Sequence, residues 1–353
     1  MPSQSSVPPF PNNLPTADIH AIDFDALAAG SKTQSRLVHE AATGYGFFYL
    51  TNHHIDHAFM FDLANAVFTL PQTEKNKYDM GTTGHYFGYK RSGAMIVDDK
   101  GTPDQSEFYN ISKDEVLGIG KLGANPSPHP DVVMARKEEL ERFMRRCHEV
   151  VTVLVRALGT ELGMDPELLP SLHKVDRPSV CQARVTHAPP VSQETICLGE
   201  HTDFGSVTVL FNQLGGLQVL EPNSKDWKYV QPRPECAIIN LGDAFVKLCG
   251  NRLYSAVHRV MGPPGEQAQS DRHSVVYFAR PNSDVLLRSL FDDPNATAEG
   301  LMNADAWVAN RAKTWNSANF KGKESYIASR GTEHNAGQRV PMLDKPRDEV
   351  EAV

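Results

Sequence analysis

Beyond Pro178 the chain breaks into short segments: VCQARVT, SVTVLFN, GLQVLE, WKYVQ, AIINLG, LYSAVHRVM, HSVVYFAR and VLLRSL. Each is rich in β-branched and aromatic residues, and Gly, Pro, Asn and Asp clusters separate them. Side chains alternate along a strand, so a half-buried strand has one face to hide. About eight such strands in succession predict a double-sheet jelly roll or a barrel.

Upstream the pattern is mainly helical. DIHAIDFDAL reads as a short strand running into a helix, SRLVHEAATG as a helix ending at Gly44, and YGFFYLTN as a strand. HAFMFDLANAVFTL is a second helix that stops before Pro71. From Asp131 to Gly163, apolar residues including Leu140, Phe143, Cys147, Val151, Leu154 and Leu158 recur at three- and four-residue steps, the signature of one long amphipathic helix. Its mixed charges, RKEELERFMRR, form a solvated face. A last helix is expected at NADAWVANRAKTW, before an acidic tail that frays. The organisation expected is a flexible leader over 1–15, a mainly helical part over 16–178, a catalytic β core over 179–290, and a helical segment with tail over 291–353.

Composition narrows the function classes. No run among the 353 residues approaches the roughly 20 apolar positions of a membrane-spanning helix, and the first residues lack the basic and apolar regions of a secretory signal. A net charge of −8 without a large basic block argues against nucleic acid. Five cysteines with no C-x-x-C pair suggest neither a disulfide framework nor a zinc-thiolate site. A cytoplasmic protein acting on a small molecule is the expectation that remains.

His-x-Asp occurs three times, at His54/Asp56, His129/Asp131 and His201/Asp203. The first lies in a strand-to-helix turn. In the second, Asp131 stands at a helix start, where N-capping accounts for it. The third falls in the β region, where i and i+2 share a strand face, and His258 follows in another strand. Two imidazoles and one carboxylate on one side of an ion match the facial triad of non-haem iron. Arg272 and Ser274, again at i and i+2, can converge on one carboxylate. Gly118, Gly120 and Gly123 satisfy G-x-G-x-x-G but run into ANPSPHP, which argues against a dinucleotide site and for a loop over the active-site mouth.

With those motifs in order, the chain resembles the iron(II)/2-oxoglutarate-dependent dioxygenases of the isopenicillin N synthase-like family. The likeness runs through AIDFDAL, GYGFFYLTNHHI, FTLPQTEKNKY and HYFGY, then GEHTDFGSVTVLFNQLGGLQVL, AIINLGDAFVKLCGNRLYSAVHRV and RHSVVYFARP. HRVMGPPGEQAQSDRHSVVYFARP is most similar to fungal polyketide-tailoring members. The resemblance implies a mainly β protein with a double-stranded β-helix (jelly-roll) core, a helical N-terminal half and a C-terminal helix. It implies iron on His201, Asp203 and His258, 2-oxoglutarate on Arg272 and Ser274, and O2 as the second co-substrate. The reaction it implies is oxidation of a C–H bond of a small metabolite, with succinate and CO2 as by-products. The family often has a Tyr ahead of the iron motif to hold the co-substrate, and Ala188 takes that place here. Strand alternation then turns Gln182, Arg184, Thr186 and Ala188 toward the pocket, with Arg184 suited to an anionic or phenolic substrate group. Two alternatives stay open: an iron oxidase that uses no 2-oxoglutarate, and a catalytically silent binding protein.

Overall fold

Alternation of apolar and polar positions resolves into two facing sheets in the computed structural model, which describes residues 7–83, 86–293, 297, 299–315 and 317–331. The strands among these residues are β1 (Ala21–Asp23), β2 (Phe47–Thr51), β3 (Gly88–Lys90), β4 (Glu107–Ser112), β5 (Gln182–Ala188), β6 (Ile196–His201), β7 (Val207–Asn212), β8 (Leu217–Leu220), β9 (Trp227–Tyr229), β10 (Ala237–Leu241), β11 (His258–Met261) and β12 (Arg272–Ala279). The larger sheet has the order β1-β2-β10-β7-β12-β5-β4-β3, and the smaller β6-β11-β8-β9. Together they form the expected jelly-roll core.

Each face of the larger sheet has its own partner. Cys181, Ala183 and Val185 of β5 and its lead-in, Val275 and Tyr277 of β12, and Val209 and Phe211 of β7 join the main apolar cluster. The helices Lys32–Thr43, Ala58–Phe68 and Lys137–Glu161 contribute Val38, Leu63, Phe143, Val151 and Leu154 to the same cluster. The intervening residues turn the other way, as a period of two requires. There Phe47, Tyr49 and Ile238 of the larger sheet pack against Leu217 and Val219 of the smaller one. The space beside this second cluster is where the site forms.

Several elements differ from the sequence expectation. Besides the expected β1 and β2, the part read as mainly helical supplies two unforeseen strands, β3 and β4, to the larger sheet. β4 is buried along its whole length, so it shows none of the alternation that marks a half-exposed strand. The long amphipathic pattern is interrupted: Asp131–Met134 and Lys137–Glu161 are separate helices, and Pro130 rather than Asp131 occupies the N-cap. VLLRSL makes only an isolated bridge, Leu286 to Asn303. Its Leu287 packs instead with Trp307 and Val308 of the helix Ala304–Trp315. Residues 7–15 lie against the core, with Pro8 O accepting from Gln267 Nε2 (2.8 Å) and Phe10 packed edge-on to Tyr229. The tail beyond residue 331 lies outside the described residues.

The glycine-rich run does not overhang the site. Gly118, in the left-handed region at φ +69°, ends the helix Lys113–Leu117, and Gly120 begins the helix Gly120–Ala124. No described helix is long and apolar enough to cross a membrane.

Candidate metal and co-substrate site

His201 and His258 are cross-strand partners: the antiparallel β6–β11 register sets them opposite each other, with ring centroids 4.3 Å apart. Asp203 lies past the end of β6, so it reaches the pair from a turn and not from the strand face expected of it. Its carbonyl oxygen accepts from Asp243 N (2.7 Å). A Cβ on Gly242 would meet Gly205 O at 2.5 Å and Asp203 O at 2.9 Å, so this close approach needs glycine.

One ligand atom from each of the three residues lies within 4.8 Å of the others, and all three residues are buried. His201 Nδ1 donates to Gly199 O (2.8 Å) and His258 Nδ1 to Ala256 O (3.0 Å). Those bonds put both ring lone pairs on Nε2, which stand 3.8 and 3.9 Å from Asp203 Oδ1. Asp203 Oδ2 accepts from Thr208 Oγ1 (2.5 Å) and Asn240 Nδ2 (2.7 Å), which fixes the carboxylate plane. Burial, reinforced by His258, pushes His201 down to about 3. Burial works to raise Asp203, but the two imidazoles and the Thr208 and Asn240 bonds outweigh it and the carboxyl sits low. Two neutral imidazoles and one anionic oxygen on one side fit a divalent iron with open positions.

The same cavity, about 790 Å³ with its open mouth, runs from this triad to Arg272 and Ser274. Both stand on the inner face of β12, as their spacing predicts. Arg272 is 4% exposed, and its Nε donates to Gly215 O (2.7 Å). No acidic side chain among the described residues forms an ion pair with it. Burying an uncompensated guanidinium is expensive, so an anion from outside the chain fits there. Ser274 Oγ shares a short hydrogen bond with Thr186 Oγ1, which places Thr186 in the same wall.

Residues 14–130 match the family model described as the N-terminal part of non-haem dioxygenase in morphine synthesis, and residues 179–281 match the 2OG-Fe(II) oxygenase superfamily. The 2-oxoglutarate-dependent dioxygenase frbH of Dothideomycetidae sp. (strain 11243) is 31% identical over 78% of this chain and 84% of its own length. The chain belongs to the 2OG-Fe(II) oxygenase superfamily. It is an enzyme that uses Fe(II), 2-oxoglutarate and O2. Oxidoreductase vrtI of Penicillium aethiopicum is also 31% identical, over 81% of this chain and 69% of its own. A full-length Neurospora crassa protein, solved in complex with alpha-KG and thymine, superposes with a TM-score of 0.70 at 26% identity, covering 84% of this chain and 97% of that one.

In this oxygenase the two other His-x-Asp pairs lie outside the three-ligand cluster. His54 pairs with Asp25 on the surface, and Asp56 is exposed. His129 is half-buried and held between the Tyr109 hydroxyl (2.8 Å) and Glu115 (3.1 Å), while Asp131 is exposed. Of the four β5 residues expected at the pocket, Arg184, Thr186 and Ala188 line it. Gln182 does not. It is fully buried one turn of the pleat beyond the cavity, with Nε2 donating to Asn110 Oδ1 (3.2 Å). Thr208, Asn240 and Asn110 escaped the sequence reading. An Asn inside the apolar strand AIINL was the signal available for Asn240.

Proposed function

We propose that His201, Asp203 and His258 hold the iron, that Arg272 with Ser274 binds the distal carboxylate of 2-oxoglutarate, and that a small organic metabolite, anionic or phenolic, is oxidised at a C–H bond beside the triad. The observation that carries this reading is the buried, acid-free Arg272 sharing one cavity with the three-ligand cluster. When bound, the iron would activate O2, which is the oxidant, and 2-oxoglutarate would supply two of the electrons as it is converted to succinate and CO2. Gly199 O and Ala256 O hold the imidazoles in the ligating tautomer, and Thr208 and Asn240 aim the carboxylate. The guanidinium fork of Arg272 orients the co-substrate with paired charge-assisted bonds. Thr186 keeps the Ser274 hydroxyl in the clamp wall. Arg184 faces the same cavity and supports recognition of an anionic substrate group. Similarity to the fungal dioxygenase frbH and oxidoreductase vrtI supports a place in secondary metabolism.

The test is anaerobic calorimetry of the metal-free protein with Fe(II) and then 2-oxoglutarate, followed by oxygen uptake across a metabolite set. One iron and one 2-oxoglutarate per chain are expected, with both events lost in His258→Ala. Undiminished binding of both by His258→Ala overturns the assignment.

A further inference from the structure

Arg184 opens a second question, because it also lines a larger adjoining chamber of about 2540 Å³, together with Tyr86, Phe108, Asn110, Phe204 and Val308. Its guanidinium carbon stands 3.8 Å from the Phe108 ring centroid and 4.8 Å from that of Phe278, and Nε donates to Asn110 Oδ1 (2.7 Å). No acidic side chain among the described residues pairs with it, and burial lowers it to about 10. Arg280, 5.5 Å from the same Phe278 ring, is a second buried guanidinium with no acidic partner among the described residues. Both cations meet aromatic rings and neutral acceptors only, Asn110 Oδ1 for Arg184 and the Val180 carbonyl and Tyr86 hydroxyl for Arg280, so neither charge is matched by an ion pair among the described residues.

Tyr86 connects the two. Arg280 Nη2 donates to the Tyr86 hydroxyl oxygen (3.0 Å), so the phenolic hydrogen must point away from Arg280, and among the described residues nothing accepts it. Asn110 Nδ2 donates to the Tyr86 carbonyl (3.3 Å) while Asn110 Oδ1 holds Arg184. One amide side chain therefore ties both donors into one unit. The aromatic walls favour a flat molecule stacked between them.

We propose that Arg184 and the Tyr86 hydroxyl form a two-point oxygen-recognition site for a planar aromatic or enolic anion carrying a second oxygen beside its charged group. This proposal rests on the oxygenase reading above and names its substrate class. Arg184 takes the charged oxygen. Tyr86, polarised by Arg280, donates to the neighbouring one. The bulk of the substrate then lies in the larger chamber, with its reactive edge directed past Arg184 toward the triad.

The probes are 1-hydroxy-2-naphthoate, its carboxamide, and 2-naphthoate, which lacks the second oxygen. Each is titrated calorimetrically and anaerobically into the full chain loaded with Fe(II) and saturating 2-oxoglutarate. The hydroxy acid is expected to bind at least about tenfold tighter than the amide, as a charge-assisted bond to a buried guanidinium predicts. Arg184→Gln removes that preference. Tyr86→Phe weakens the hydroxy acid about tenfold and leaves 2-naphthoate unchanged. Far-ultraviolet circular dichroism checks the fold, and Arg184→Lys replaces the Gln variant should that one not fold, with a smaller loss expected. Equal binding of acid and amide, binding of neither, or a Tyr86→Phe effect of the same size on both naphthoates overturns the proposal, as does displacement of 2-oxoglutarate by the acid. Failure of 2-oxoglutarate to bind the unaltered protein strikes the oxygenase assignment of Arg272 and Ser274, and not this site.

Discussion

Ala188 sits directly opposite Arg272 across the antiparallel β5–β12 ladder. The residue that faces the clamp arginine therefore offers a methyl group where members of the family often carry a phenol. Its side chain lines the cavity beside Ser106 and Cys197. Ala188→Tyr is expected to tighten 2-oxoglutarate by roughly tenfold, the value of one hydrogen bond to a charged group. Calorimetric titration with 2-oxoglutarate checks this; no gain, or a loss, shows that the space at Ala188 serves another group.

His201→Ala, Asp203→Ala and His258→Ala each leave two ligands of three and should abolish iron retention along with turnover. Asp56→Ala and Asp131→Ala touch only exposed carboxylates and should keep both. Iron content after anaerobic desalting separates the two groups.

Arg272→Lys keeps the charge but loses the fork, and Gly215 O loses its Nε–H partner. Affinity for 2-oxoglutarate should fall by about tenfold or more. Iron binding should be unchanged, because Arg272 touches none of the three ligands. A loss of iron instead would mean that Arg272 holds the wall of the roll.

Acid should unfold the protein from near neutrality downward, through buried histidines. Burial pushes His53, His173 and His273 each down from 6.5 to about 4. A folded-state value below the unfolded one means stability that is complete above pH 6.5 and is lost as the pH falls toward 4. His187 runs the other way: burial opposes its cation, yet Glu107 (2.9 Å) and Asp271 (2.8 Å) prevail and raise it. Its contribution is present below the ordinary histidine value and fades as the pH rises through the folded one. In urea unfolding at a series of pH values, His173→Asn should be less stable than the unaltered chain at about pH 7. The difference should narrow toward about pH 4, the folded-state value of His173. A constant difference would show that His173 does not titrate in that window.

Most of the β core and the convergence of His201, Asp203, His258, Arg272 and Ser274 on one cavity were legible, because period-two alternation and short i, i+2 spacings are local. What failed was non-local. β4 hid because both of its faces are covered, and VLLRSL looked like a strand because leucines that pack on a helix resemble leucines that pack on a sheet. Asp203 was placed with the correct partners for an incomplete reason. A turn held by Asp243 N brings it to the histidines, and no pattern in HTDF announces that bond. Gln182 shared the predicted face but sits too far along β5 to reach the cavity. Asn110, which joins Arg184 to Tyr86, belongs to the strand that escaped notice.

The two histidines stand on the smaller sheet and the Arg272–Ser274 pair on the larger, with Asp203 in the connection that crosses between them. The bite available to a ligand stretched from triad to clamp is therefore the thickness of the sandwich. That thickness is set by Phe47, Tyr49, Ile238, Leu217 and Val219. A chain built this way is its own caliper: a methylene removed from the filling, far from any polar atom of the site, changes the distance a five-carbon diacid must span. Drift in co-substrate affinity across a family of such proteins can then be written in its leucines and valines.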